Sequence, residues 1–153
     1  MVIAGINLTK INVERTGQIK GKIDVNSKVV INKVTNAEIG IALKDRGIQV
    51  SFTFSSIYSP QVGKIEIEGN VLVLESEENA KKIIETWEKT KKLPPVLMQH
   101  VYASILRKCN IKALTMSEDV GLPSPIRLPQ VKITKTQKPA SVQQKKETKL
   151  QKK

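Results

Sequence analysis

Pro94 to Val131 reads PPVLMQHVYASILRKCNIKALTMSEDVGLPSPIRLPQV, and the rest of the chain is interpreted around it. Leu97, Val101, Ile105 and Cys109 recur every fourth residue. Tyr102, Leu106 and Ala113 flank them, so a helix here has one broad apolar face. Pro94 and Pro95 suit the entry, because a proline in the first turn gives up an N–H that has no partner there anyway. Gly121 and Pro123 mark the exit. A break or bend is expected near Asn110. The chain before this helix reads mostly as strands that need a cover, and the chain after it reads as tail. The helix is therefore expected to be the lid on a sheet.

The strands follow from period-two alternation. Gly5 to Arg15 alternates at Ile6 and Leu8, then in the opposite phase at Ile11 and Val13, which predicts a bulge or two short strands. Lys28 to Val34 is a second strand, starting as early as Lys20, with Thr35 to Gly40 either loop or continuation. Asp45-Arg46-Gly47 reads as a hairpin turn. In Ile48 to Ser56, Ile48, Val50, Phe52 and Phe54 point one way and Gln49, Ser51, Thr53 and Ser55 the other, which predicts an antiparallel strand with one wet face. Ser59-Pro60 makes the next turn. Lys64 to Leu74 is a fourth strand, with Gly69 expected at a bulge. Ser76 is the expected N-cap of a further helix, where Glu77 and Glu78 suit the positive start. Ala80, Ile83, Ile84 and Trp87 share one face of it, and the lysines of KTKK suit its end.

The apolar fraction is 39%, and the shortfall is concentrated in the last twenty-odd residues. No run of 18 apolar residues predicts a membrane span. The start, MVIAGINLTKI, does not read as a secretory signal. These absences favour a cytoplasmic protein. The net charge of +12 is unevenly spread. Residues 127–153 carry 9 Lys/Arg against 1 Glu, while residues 1–92 carry 14 against 11 acidic residues. A basic arm on a nearly neutral body points to a polyanionic partner.

No phosphate-binding or dinucleotide fingerprint is present. His100 is the sole histidine, and a helical histidine of no special role is the plain reading. Cys109, the sole cysteine, falls on the apolar stripe, where a buried inert thiol is expected. Glu75, Glu77 and Glu78 read as a solvated helix start. Catalytic residues, metal ligands and cofactors are therefore all expected to be none. Phe52, Phe54 and Tyr58 are spaced as in a base-stacking strand, but the strand-then-helix order is wrong for that RNA-recognition fold, so Phe52 and Phe54 are expected in the core.

The segments SFTFSSIYSPQVGKIEIEGNVLVLES (residues 51–76) and VYASILRKCNIKALTMSEDVGLPSPIRLPQVKI (residues 101–133) resemble the SecB-like family. Small archaeal SecB-like proteins look closer still, with a similar ILRKC helix and GLPxPIxLP exit. The resemblance covers about residues 5–133. It implies an α+β fold: a SecB-like four-stranded antiparallel sheet with C-terminal helices packed on one face, plus an extended basic tail. The expected organisation is a SecB-like domain over residues 1–122, a Pro-rich extended exit over 123–133, and a basic tail over 134–153 that is disordered unless bound to a partner. The resemblance also implies a holdase role on unfolded polypeptide.

SecB itself is acidic, whereas this chain is basic and has five aromatic residues. Fold does not carry function. The function expected from charge is non-catalytic RNA binding as a ribosomal or ribosome-associated protein, with rRNA and neighbouring ribosomal proteins as partners. The RNA-binding residues are then Arg127, Lys132, Lys135, Lys138, Lys145, Lys146, Lys149, Lys152 and Lys153, following phosphates without reading sequence. The alternative is a SecB-like holdase chaperone, with Tyr58, Trp87 and Tyr102 as polypeptide-binding residues.

Overall fold

The computed structural model describes residues 1–37 and 45–129, with Asp45 and Arg46 described by their backbone. Four strands come first: β1 (Val2–Arg15), β2 (Asp24–Ala37), β3 (Asp45–Ser59) and β4 (Gly63–Ser76). Two helices follow, α1 (Glu77–Thr90) and α2 (Pro95–Asp119). The strands form one antiparallel sheet in the order β1-β4-β3-β2. With both helices packed against it, the chain has an α+β fold, a four-stranded antiparallel sheet carrying two C-terminal helices.

The order places β1 and β2 on opposite edges, so residues 16–23 must cross the end of the sheet. Three strand spacings are about 14 Å, within reach of eight residues. The crossing is pinned to the β3–β4 turn: the Thr16 and Gly17 amides both donate to the Val62 carbonyl, at 2.9 and 3.2 Å. A Cβ on Gly17 would lie 2.9 Å from the Gln61 carbonyl oxygen, so the approach requires glycine.

The phase slip in β1 is real. Its register against β4 shifts between Leu8 and Lys10, and again between Ile3 and Gly5. Gly69 is not itself the bulge. It pairs with Phe52 in an unbroken β3–β4 register and faces the β1 irregularity from the other side. A Cβ there would lie 2.4 Å from the Asn7 carbonyl oxygen, so its role is to let the β1 backbone in. Asp45–Gly47 is likewise not a turn but the first part of β3, paired in order with Ser76, Glu75 and Leu74. The long β4 offers partners this far back, so the strand continues. Thr35 to Ala37 continues β2, and residues 38–40 lie outside the described residues.

The core lies between the inner sheet face and the helices. Ile48, Val50, Phe52, Phe54 and Tyr58 of β3 and Ile65, Ile67, Val71 and Val73 of β4 are buried there. The edge strands are less covered: Ile6, Leu8 and Val13 in β1, and Val25, Val29 and Ile31 in β2, are only partly buried. On the outer face, Lys10 and Lys64 bracket Glu66 at 3.1 and 3.5 Å. The Lys10 hydrogen bond, with Lys64 beside it, lowers the Glu66 pKa.

Ser76 caps α1 as expected, its hydroxyl accepting from the Asn79 amide at 3.4 Å. Glu77 and Glu78 pair with Lys81 and Lys82 at i,i+4, and Glu75 accepts from the Ser76 amide, which lowers its pKa. α2 runs from Pro95 to Asp119 as one helix, so the chain is not broken near Asn110. Residues 95–119 hold no glycine or further proline, and the burial pattern continues through Cys109, Ala113 and Ser117. Six buried residues at spacing four advance about 40° per step on a 3.6-residue helix, so the buried line winds around α2. The helix accordingly crosses the sheet. Tyr102 reaches the Val29 carbonyl of β2 at 3.5 Å, and Lys108 donates to the Ile6 carbonyl of β1 at 2.7 Å.

The exit is a Schellman motif. The Gly121 amide donates to Glu118 at 3.1 Å and the Leu122 amide to Ser117 at 2.7 Å, with Gly121 at φ 70. Leu122 is then buried against Gly63.

Candidate functional site

The helices cover the middle of the sheet and leave a groove along the β2 side. It is lined by Val29, Val30 and Ile31 of β2, Trp87 of α1, Lys91, Lys92 and Leu93 of the connection, and Met98 and Tyr102 of α2, and has a volume of about 200 Å³. Local rules place each wall. Trp87 is the last of α1's buried residues, after Ala80 and Ile83. Pro94 and Pro95 restart the helix after a short connection, which sets Leu93 and Met98 near Trp87. Met98 is 40% and Val30 45% exposed, so apolar surface remains open to solvent.

Lys91 closes α1 with its amide donating to the Trp87 carbonyl at 2.8 Å. It does so at φ 56, in the left-handed region. A non-glycine residue pays about 1–2 kcal/mol for that conformation. Its ammonium lies 5.9 Å from the Trp87 ring centroid. A second hollow, of about 280 Å³, lies where α1 and α2 meet the start of β1. Its own charged groups meet there, with the Met1 ammonium 3.6 Å from Glu75.

The two edges of the sheet differ. β1 is broken twice in register, and Lys108 occupies its Ile6 carbonyl. Inserted residues and lysines are ways of blocking an edge against further pairing. β2 has one shift, between Ile31 and Lys33, which leaves Asp24–Ile31 regular in register, with the Tyr102 hydroxyl 3.5 Å from its Val29 carbonyl. The groove opens beside that regular, outward-facing edge.

Of the expected polypeptide-binding residues, the structure brings Trp87 and Tyr102 together in the groove. Tyr58 stands apart: it is fully buried rather than exposed, and its hydroxyl donates to the Pro123 carbonyl at 2.8 Å. Burial pushes its pKa up to about 12. The alternation that put Phe52 and Phe54 inside carries Tyr58 with them. Leu93, Met98, Lys91 and Val29 to Ile31 were not legible as site residues. The exposed Met98, one position off the buried stripe at Leu97, was the available signal.

Among the described residues no group of three or more His, Cys, Asp or Glu is placed to hold a metal ion. Cys109 is buried, and burial pushes its thiol up to about 11, so it is no nucleophile. His100 is exposed on α2. No described helix is long and apolar enough to cross a membrane.

No protein-family model matches the chain, and no curated protein does. Among solved structures, the fold is similar to the Mycobacterium tuberculosis SecB-like chaperone Rv1957 in complex with a ChAD peptide from the HigA1 antitoxin. The identity is 11%, the TM-score 0.47, and the match covers 86% of this chain and 90% of that one.

The expected ribosomal function and rRNA partners are corrected by this finding. The fold likeness is to a chaperone in complex with a peptide. Phe52, Phe54 and Tyr58 are buried and offer no stacking face. Of the nine cations expected to follow phosphates, Arg127 is exposed after the exit, and Lys132, Lys135, Lys138, Lys145, Lys146, Lys149, Lys152 and Lys153 lie outside the described residues.

Proposed function

We propose that this chain is a non-catalytic, SecB-like holdase that binds extended segments of unfolded polypeptide. The observation that carries the reading is the apolar groove of Trp87, Leu93, Met98 and Tyr102 lying beside the regular outer edge of β2. An extended segment adds to an open strand edge through its backbone, while alternate side chains enter neighbouring pockets. Backbone pairing is indifferent to sequence, which suits a protein that holds many clients. Its place of action on this reading is the cytoplasm. The ILRKC helix and the GLPSPIRLP exit support kinship with the small archaeal SecB-like proteins.

The test is light scattering of a chemically denatured client diluted into buffer with the full chain. Suppression of aggregation near stoichiometric ratio is expected. Met98→Asp puts a charge into the groove at a position already part-exposed, and is expected to weaken suppression while leaving the fold intact by circular dichroism. No suppression by the unmodified chain at molar excess would sink the proposal.

A further inference from the structure

The groove is apolar along its length and cationic where α1 ends. Lys91 and Lys92 both line it, and among the described residues no carboxylate does. Among the described residues neither lysine takes part in an ion pair. The nearest carboxylate in sequence, Glu88, is exposed and not part of the lining.

The position of Lys91 is held by backbone geometry. Its amide is bonded to the Trp87 carbonyl, its φ is 56, and its ammonium lies near the Trp87 ring. Glycine is the residue that this left-handed helix end ordinarily takes. A lysine there brings backbone strain and, with it, a positive charge into the groove lining. Strained positions of this kind concentrate at ligand clamps.

We infer that the groove selects extended segments in which an apolar residue is flanked by acidic ones. The inference rests on the polypeptide-binding reading and names its substrate class. An Asp or Glu next to the anchored apolar side chain meets Lys91 and Lys92, which among the described residues have no counter-charge in the groove. A Lys or Arg in the same place meets two like charges beside an apolar wall. Each pair is solvent-facing, so the preference is modest and salt-sensitive: about five- to ten-fold in Kd for two pairs at low salt.

The experiment is fluorescence anisotropy with the full chain and three labelled peptides. They share one set of apolar residues and differ in having Asp/Glu, Ser or Lys between them. The acidic peptide is expected to bind tightest and the basic one weakest. The order is expected to vanish in Lys91→Gly/Lys92→Ser, whose thermal midpoint should hold or rise as the strained φ is relieved. Lys91→Gln/Lys92→Gln, which keeps side-chain bulk, should behave alike in binding.

Equal affinity for the three peptides overturns the inference and leaves the holdase reading standing. A preference that survives both variants also overturns it, because the cations after residue 130 are then its source. Absence of binding by any of the peptides overturns the polypeptide-binding reading itself.

Discussion

The Tyr58 hydroxyl donates to the Pro123 carbonyl at 2.8 Å, joining the end of β3 to the segment that leaves α2, 65 residues away. The Gly121 turn aims the chain back at the sheet, Leu122 fills the space that Gly63 leaves, and Pro123 presents its carbonyl to the buried phenol. The exit is thus fastened to the strands it leaves behind.

Tyr58→Phe removes this bond and leaves the Pro123 carbonyl without its donor. A loss of about 1 kcal/mol is expected at neutral pH. The folded-state pKa, about 12, lies above the ordinary value of about 10. Between these values the folded protein keeps a proton that the unfolded chain has released. The contribution is therefore fully present below pH 10 and is lost as pH rises towards 12. Urea unfolding of both proteins from pH 8 to 11.5 is expected to show the wild-type advantage shrinking over that upper range. A constant difference would contradict it.

Cys109 is expected to resist thiol reagents in the folded protein. Its burial and raised pKa leave neither access nor thiolate at pH 8. Labelling with an aromatic disulfide reagent should go to completion in denaturant and proceed without it only as fast as the chain opens. Rapid labelling of the native chain would show that α2 is less firmly seated than its burial implies.

Gly69→Ala should be among the most damaging small substitutions. The added methyl meets the Asn7 carbonyl oxygen at 2.4 Å and the Phe52 ring at 3.0 Å. Relief requires β1 or the Phe52 side chain to move, at a cost of about 1–3 kcal/mol or more. Gly5→Ala is the control, since nothing lies within 4 Å of its added methyl. Comparing chemical denaturation midpoints tests the contrast, and equal midpoints would reject the close β1–β4 approach.

Gly121→Ala forces a side chain onto φ 70 at the Schellman turn, where the methyl also meets Arg15 Nη1 at 2.9 Å. The arginine tip can swing away, so the backbone sets the cost, about 1–2 kcal/mol. Lys91→Gly makes the opposite change at φ 56 and should stabilise. Thermal midpoints that move in opposite directions for the two variants are the expected result.

Much of this architecture was legible in the chain alone. The alternation from Ile48 to Phe54, the β1 phase slip, the Ser76 cap and the Gly121–Pro123 exit all stand where their residues indicate. Each is encoded within a few neighbouring residues, through side-chain period, capping chemistry or the freedom of glycine at positive φ. The tertiary structure alone decided what depends on which segments meet. Strand order made β1 and β2 the edges, and the close approach of β1 determined what Gly69 is for. The winding buried line of α2 determined which edge was left beside a groove. Tyr58 and Trp87 look alike as candidate contacts in sequence, yet the fold seals one and sets the other in the groove wall. The strongest charge signal in the sequence pointed to phosphate, because net charge reports long-range attraction. It says nothing of where two helices stop short of covering a sheet, and here that shortfall makes the groove.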